Sequence, residues 1–171
     1  MNLQEIFERA NVLAEGNFAD LDAIIGHLND AQNLIANFDP IRAEPYYTQV
    51  AQSTILLPSD LLRIHRITVD DQDYRPTSEV WGGQIVDESL TDGAMVKIFY
   101  FARPSTLYSS SPFMEPRVPK KYHEAMAKYA ARMFYLIDDD PPLREAFMDD
   151  FRSNLASLRT IDGVVTRFYN Y

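Results

Sequence analysis

The chain is 171 residues long, 46% of its residues are hydrophobic, it contains no cysteine, and its formal net charge is -9. This length supports one domain with one sizeable core, and the negative charge argues against tight binding of nucleic acid, whose affinity comes largely from Lys and Arg at phosphates. The lack of cysteine excludes disulfides, thiolate catalysis and cysteine-ligated zinc, and no apolar run approaches the roughly 18 to 20 residues of a membrane span.

Two amphipathic helices are predicted at the start of the chain. The first covers residues 3–13 and ends before Gly16, and its opening residues have neither the basic nor the apolar region of a signal peptide, so we expect an unexported protein. The second has Asn17 or Asp20 as its cap and ends near Phe38, because the residue before Pro40 is pushed out of the helical region. Its apolar stripe consists of Leu21, Ile24, Ile25, Leu28, Ala31 and Ile35.

Residues 46–101 change to β-branched and aromatic residues, which predicts a small antiparallel sheet inserted between helices as a meander. Within the second strand, Ile64, Ile67 and Val69 do not alternate perfectly and so indicate a bulge or partial burial on both faces. Polar turns are expected at residues 70–73 and at Thr91-Asp92-Gly93. The expected strands lie at 46–57, 63–69, 84–88 and 95–101.

The segment 104–119 is rich in serine and proline and predicts a loop that crosses the surface, ordered or mobile. After Pro119, apolar residues recur at helical spacing in two stretches joined by an acidic corner at 138–142, which predicts an antiparallel helical hairpin. The first stripe is Tyr122, Ala125, Met126, Tyr129, Met133, Phe134 and Ile137; the second is Leu143, Phe147, Phe151, Leu155 and Leu158.

The predicted fold class is α+β: a helical bundle, made of the N-terminal helix and the C-terminal hairpin, with an inserted small antiparallel β-sheet. We expect one domain over 1–171, with 46–101 as an inserted β subdomain that packs on the hairpin. Residues 163–171 end the chain with β-branched and aromatic groups, so this C-terminal arm should be buried in the fold or in a neighbour.

No catalytic, cofactor or metal site is predicted. The three histidines, His27, His65 and His123, fall in different elements, which favours structural or surface roles over a metal or proton-transfer cluster. The aspartates at 138–140, 149 and 150 are dense enough to suggest a binding site for a divalent cation. However, consecutive carboxylates point in different directions, and no EF-hand pattern is present. We favour Asp140 as a helix cap with its neighbours complementing the helix dipole.

Other motifs carry little chemistry. The pair Gly82-Gly83 lacks the context of a phosphate loop, and the serines at 109–111 read as loop rather than nucleophile. Ten Tyr and ten Phe without a basic stripe indicate core and interface rather than a platform for stacking bases. This absence of motifs favours a structural or assembly role.

Four phrases in this order resemble tailed-bacteriophage head-to-tail connector (adaptor) proteins. They are LDAIIGHLNDAQ at 21–32, LPSDLLRI at 57–64, VKIFYF at 96–101 and VPKKYHEA at 118–125. The resemblance spans about residues 18–160 and rests on segment order and short phrases. The loop at 104–119 and the C-terminal arm have no counterpart in the pattern.

The resemblance implies a structural virion protein without enzymatic activity or cofactor. Twelve copies would form a ring that docks under the portal protein after DNA packaging and receives the tail or a nozzle or stopper protein. The helices would build the ring, the sheet would project toward neighbours or the tail, and the arm would reach into the portal with Val164, Val165, Arg167, Phe168, Tyr169 and Tyr171.

The same resemblance implies a place in the virion neck, and in the host cytoplasm during assembly, with no membrane contact. The acidic balance suits a conduit through which genomic DNA passes without tight binding. Three alternatives stay open: another neck or tail-completion protein, a small acidic protein-binding module, and a metal-dependent hydrolase that uses the carboxylates between Asp138 and Asp150.

Overall fold

The computed structural model describes residues 1–76, 80, 82–135 and 141–160. These residues form helices and small antiparallel sheets, so the α+β class is confirmed. The helices are α1 (Leu3–Leu13), α2 (Ile25–Phe38), α3 (His123–Tyr135) and α4 (Pro141–Thr160). The strands are β1 (Ile41–Arg42), β2 (Tyr46–Gln49), β3 (Thr54–Leu56), β4 (Leu61–Val69), β5 (Gln72–Tyr74), β6 (Gln84–Val86) and β7 (Met95–Ala102).

The chain divides into two compact units. The first, called the helical unit, consists of Met1–Asp39 and the described residues from Pro104 onward. The second, called the β unit, is Pro40–Arg103 and contains all seven of the strands above. No helix within the described ranges is both long and apolar enough to cross a lipid bilayer.

The two N-terminal helices begin differently, the first at a polar cap and the second after a capped 3-10 turn. The Asn2 side chain accepts a hydrogen bond from the Glu5 amide at 2.9 Å, while the Glu5 carboxylate accepts one from the Asn2 amide at 3.0 Å, so α1 starts with a capping box. Asp20 caps as predicted, but it caps a short 3-10 turn rather than the long helix. The α-helix begins only at Ile25, because the backbone of Ile24, at φ -123°, leaves the helical region.

Helix α3 is the element on which α1 and α2 both pack. Burial extends beyond the single stripe predicted for it and includes Ala125, Met126, Ala127, Tyr129, Ala130, Ala131 and Met133. The small alanine side chains let neighbouring helix backbones come close. Helix α4 also reaches α3: its Phe151 and Phe147 rings lie 5.0 and 5.9 Å from the Tyr129 ring.

Polar contacts tie the ends of these helices together. Arg9 on α1 forms a two-pronged ion pair with Glu124 on α3, with Nη2 to Oε1 at 2.7 Å and Nε to Oε2 at 2.9 Å, and this arginine holds the Glu124 pKa below its usual value. The buried Tyr122 hydroxyl donates to Asp39 at 2.8 Å, at the end of α2. Burial first, and then this hydrogen bond, raises the pKa of Tyr122 to about 12.

The loop at 104–119 is held by side chains of α2. The Asn29 amide accepts a hydrogen bond from the Leu107 N–H at 2.8 Å and donates one to the Leu107 carbonyl at 3.0 Å. Gln32 donates to the Ser105 carbonyl at 2.8 Å. Asn29 therefore pairs with the loop backbone as a neighbouring strand would.

The far part of the same loop completes the start of α1. The Leu3 and Gln4 amides donate to the carbonyls of Met114 and Pro112 at 2.9 and 2.8 Å. First-turn amides have no partner within their own helix, so the loop supplies acceptors that the helix lacks. The loop is thus held by side chains of α2 near its start and by backbone hydrogen bonds to α1 near its end.

The main sheet differs from the predicted meander. Its order is β1-β7-β4-β5, with β2 also paired to β7, so the last strand in the sequence lies at the centre. β7 has eight residues, long enough for β1 and β2 to pair along one edge and β4 along the other. β3 and β6 form a separate two-stranded sheet.

Strand boundaries also depart from the prediction. The expected strand at 46–57 is two strands in different sheets, because Gln52 and Ser53 adopt positive φ of 51° and 55° and turn the chain. The turn after β4 uses only Asp70 and Asp71, and β5, which begins at Gln72, overlaps the turn predicted at 70–73. The bulge in β4 is confirmed between Ile64 and Arg66, and the turn at 91–93 is confirmed by the Ala94 N–H to Thr91 carbonyl bond.

The core of the β unit lies between its two sheets. Its buried residues include Val50, Ile55, Ile67, Ile85, Val96, Ile98 and Tyr100. Buried Asp87 accepts hydrogen bonds from the Tyr74 hydroxyl at 2.5 Å and the Ser89 hydroxyl at 2.6 Å. Burial, with this carboxylate as the second cause, raises the pKa of Tyr74. These hydrogen bonds offset the energetic cost of burying the Asp87 carboxylate beside an apolar core.

Substituting Ala130 with leucine tests the close approach of helices on α3. Ala130 is fully buried, so the larger side chain must push a neighbouring helix away, and we expect Ala130→Leu to lower the free energy of unfolding by about 1–3 kcal/mol. Lys128→Leu, at an exposed position on the same helix, should change it by less than about 0.5 kcal/mol. Urea unfolding measures the free energy of unfolding of both variants. The same midpoint for Ala130→Leu and Lys128→Leu would contradict the close packing of helices at Ala130.

Removing the Asn29 amide tests the attachment of the loop. Asn29→Ala leaves the buried Leu107 N–H and carbonyl without this partner, at a cost of about 1–3 kcal/mol. We expect faster hydrogen exchange at the Leu107 amide. Asn33→Ala, an exposed asparagine of the same helix, is the matched control and should leave that amide protected.

The buried His123 should make stability depend on pH. Its Nε2 lies 3.1 Å from the Val118 carbonyl, which can only accept, so Nε2 carries the proton and Nδ1 faces the Met1 amino nitrogen at 2.9 Å. Burial lowers the His123 pKa, so its contribution is complete above the unfolded value of about 6.5 and is lost as pH falls through the lowered folded value.

We therefore expect the melting temperature to fall between pH 7 and pH 5 by more in the unaltered protein than in His123→Gln. His65→Gln corrects for the general effect of removing a histidine. A His123→Gln variant with the same pH dependence as the unaltered protein would show that this histidine does not contribute.

Candidate functional site

One face of the main sheet gathers basic and aromatic side chains. Alternation along β7 buries Val96, Ile98 and Tyr100 and turns the residues between them outward. The strand register sets residues from β1, β2 and β4 beside them. We call this surface the cationic face, and it consists of Arg42, Tyr47, Arg63, His65, Arg66, Lys97, Phe99 and Phe101.

The bulge in β4 makes this face possible. Strict alternation would direct Arg63 and Arg66 to opposite sides of the sheet, because they are three residues apart. The bulge inserts His65, so that Arg63 pairs with Phe101 and Arg66 pairs with Phe99 on the same side. The His65 ring also lies edge-on to Phe101, with centroids 5.9 Å apart.

The cations of this face lie over aromatic rings. The Arg63 Cζ is 5.3 Å from the centre of Phe101, and the Arg66 Cζ is 5.7 Å from that of Phe99. Lys97 Nζ lies 5.3 Å from the Tyr47 ring and 5.0 Å from the Phe99 ring. Each such contact contributes about 0.5–1 kcal/mol at an exposed site and limits how far the cation moves.

Acidic groups border the face, and one of them pairs with one of its four cations. Asp73 on β5 pairs with Arg66 at 2.5 Å. At the β4–β5 turn, Asp70 and Asp71 line a cavity of about 410 Å³ together with Tyr47 and Lys97. The face nevertheless gathers four of the chain's 16 Lys and Arg residues in a protein of net charge -9.

The helical unit carries the opposite charge along residues 10–39, which we call the anionic segment. This stretch contains five acidic residues and neither Lys nor Arg: Glu15, Asp20, Asp22, Asp30 and Asp39. Glu15, Asp22 and Asp30 are exposed. Asp20 is used as a cap, and Asp39 contacts Lys121 at 3.6 Å.

A third surface is formed by the loop at 104–119. Tyr108 is 60% exposed and Phe113 is 79% exposed. Two successive turns, closed by the Ser111 N–H to the Tyr108 carbonyl and the Met114 N–H to the Ser111 carbonyl, fix the backbone between and beyond them. Large aromatic side chains presented on a fixed backbone are typical of the residues that dominate protein interfaces.

The structure describes only some of the residues considered in the sequence analysis. The arm residues Val164, Val165, Arg167, Phe168, Tyr169 and Tyr171 lie outside the described residues, as do the aspartates at 138–140. Asp149 and Asp150 are exposed on α4, where Asp149 accepts from Arg152 at 3.1 Å. Within the described ranges, no three His, Asp or Glu side chains are placed to hold a metal ion.

Sequence reasoning missed the cationic face because its cations come from β1, β4 and β7, which are distant in the chain. Two local signals point to it: the alternation of Lys97, Phe99 and Phe101 against apolar residues, and the imperfect alternation in β4. The anionic segment can be found by counting charges alone.

Two comparisons with known proteins bear on this chain. A search of curated proteins finds no match. A family model described as SU10 adaptor protein matches residues 1–168, which include both units. The match agrees with the resemblance to phage head-to-tail adaptors, and the family is one of structural adaptors rather than of enzymes. The chain therefore belongs to the SU10 adaptor protein family and is a structural adaptor protein of a phage virion.

Proposed function

We propose that this protein is a head-to-tail connector that forms a ring on the portal after DNA packaging and attaches the tail through a nozzle or stopper protein. The observation that carries the proposal is the family match over residues 1–168, nearly the whole chain. We further propose twelve copies in the ring, acting in the virion neck and assembled in the host cytoplasm. In this proposal the chain works as one adaptor domain with 46–101 inserted as a β subdomain.

The surfaces of the described residues support this role. A connector must contact copies of itself and two other components, so it needs several distinct binding surfaces. The cationic face, the anionic segment and the exposed aromatics of the 104–119 loop differ in charge and chemistry. Such differences favour binding to different partners.

The charge of the chain supports a DNA conduit. At a net charge of -9, a ring of twelve copies carries a strongly negative charge, which repels the phosphates of a passing duplex. The genome would then move through the lumen without the salt-dependent phosphate contacts that hold DNA to basic proteins.

We propose that the arm at 163–171 binds the portal. Its Val164, Val165, Phe168, Tyr169 and Tyr171 provide apolar and aromatic surface, and Arg167 adds a charge. A short segment of this composition can order on a partner by burying its side chains and pairing its backbone with a strand.

Deleting residues 164–171 should weaken binding to purified portal rings by roughly tenfold to hundredfold, because aromatic anchors dominate interface energies. Co-sedimentation at graded protein concentrations measures the change. Cooperative thermal unfolding should persist in the truncated protein, and its loss would show that the arm belongs to the core.

The unaltered protein must bind portal for the proposal to stand, so the absence of co-sedimentation would contradict it. Asp138→Ala combined with Asp139→Ala is the matched control in the same C-terminal part of the chain. Portal binding should be unchanged in that variant, whereas a cation-dependent activity lost with it would support the hydrolase alternative.

A further inference from the structure

We infer that the cationic face of one copy binds the anionic segment of the next copy, and that this contact joins neighbouring subunits of the ring. The inference rests on the proposed function, because it names the subunit contact of that ring. Its partner is a second copy of this chain, recognised through complementary charge.

The cationic face is preorganised for such a contact. Arg63, Arg66 and Lys97 are each held over an aromatic ring at 5.0–5.7 Å, and the rings are fixed by the strand register. Cations restrained in this way lose less side-chain freedom when they pair with carboxylates. The planar guanidinium groups also have the geometry to bind carboxylates through two hydrogen bonds.

The anionic segment offers matching acceptors. Glu15, Asp22 and Asp30 are exposed, and no Lys or Arg within 10–39 competes for them. Their backbone is ordered: Asp20 caps the turn that carries Asp22, and Asp30 is part of α2. Carboxylates on an ordered backbone form a defined surface on which a partner can be positioned.

A second copy fits these observations better than DNA. The rings already have cations over them, and Asp70, Asp71 and Asp73 border the surface, so a continuous polyphosphate that crosses the face would meet repulsion at its edge. A second copy brings separate carboxylates, which can pair with the cations away from that edge. Because the two surfaces are different, their contact is heterologous, and such contacts form a ring when the rotation between neighbouring subunits closes.

The size of the face indicates when the contact forms. β7 has eight residues, so at roughly 3.3 Å per residue the face is about 26 Å long, and three strands spaced about 4.8 Å apart make it about 14 Å wide. The resulting area of about 370 Å² is well below the about 800 Å² per partner of a stable complex. The contact is therefore weak between free copies and takes effect when the portal holds subunits side by side.

The experiment measures how portal rings fill with this protein as its concentration rises, using native mass spectrometry to count bound copies. We expect cooperative filling, with a Hill coefficient above about 2, because each bound copy offers a surface to the next. Arg63→Glu combined with Lys97→Glu should reduce the coefficient to about 1 and raise the concentration at half-filling at least about tenfold.

Charge reversal on the other surface provides the complementary test. Asp22→Lys combined with Asp30→Lys should cause the same loss of cooperativity. A chain that carries all four substitutions restores opposite charges across every contact, so its filling should again be cooperative. Lys120→Glu combined with Lys128→Glu is the control for the Arg63→Glu and Lys97→Glu pair, because it changes the net charge by the same amount at exposed positions of the helical unit. It should leave cooperativity intact.

Thermal unfolding of each variant verifies folding, and Arg63→Gln combined with Lys97→Gln replaces the reversed pair if that pair does not fold. Unchanged cooperativity in the folded face variants, or no recovery in the combined chain, would overturn the inference while portal binding and the proposed function stand. If the unaltered protein does not bind portal at all, the proposed function fails, and the inference fails with it.

Discussion

The burial of α3 is the constraint on which the helical unit depends. Along 122–133, the exposed side chains are Lys128 and Arg132, and α1, α2 and α4 all contact this helix. Its alanines at 125, 127, 130 and 131 leave room for backbones rather than side chains. Each neighbouring helix buries apolar surface against α3, so a substitution that changes the side-chain volume on α3 would disturb the packing of all three.

The ends of α1 and α2 followed from the sequence because their causes are local. Gly16 lies just beyond α1, and Pro40 follows Asp39 at the end of α2. The start of α2 did not follow in this way, since Asp20 caps a 3-10 turn and the helix begins only at Ile25. The strand order could not be read in the same way. β7 pairs with β1, β2 and β4, and these pairings depend on which distant segments bury one another's apolar faces. The split at Gln52 and Ser53 was also missed, because neither residue is typical of positive φ.

The candidate surfaces were also predictable to different degrees, because some depend on neighbouring residues in the chain and others on contacts between distant ones. The anionic segment is continuous in sequence, so its charge needs no fold to be seen. The cationic face exists only after the register of the sheet and one inserted residue in β4 bring its cations together. The proposed arm is different again, since its residues were selected for their composition alone and lie outside the described part of the chain.

The pairing of Asn29 with the backbone of Leu107 has an evolutionary consequence. Because this amide recognises peptide groups and not side chains, the path of the loop is insulated from most substitutions along it. Tyr108 and Phe113 can then be exchanged without altering the helices that support them. One scaffold could in this way acquire new specificity, and related phages could fit the same adaptor to structurally different neighbours.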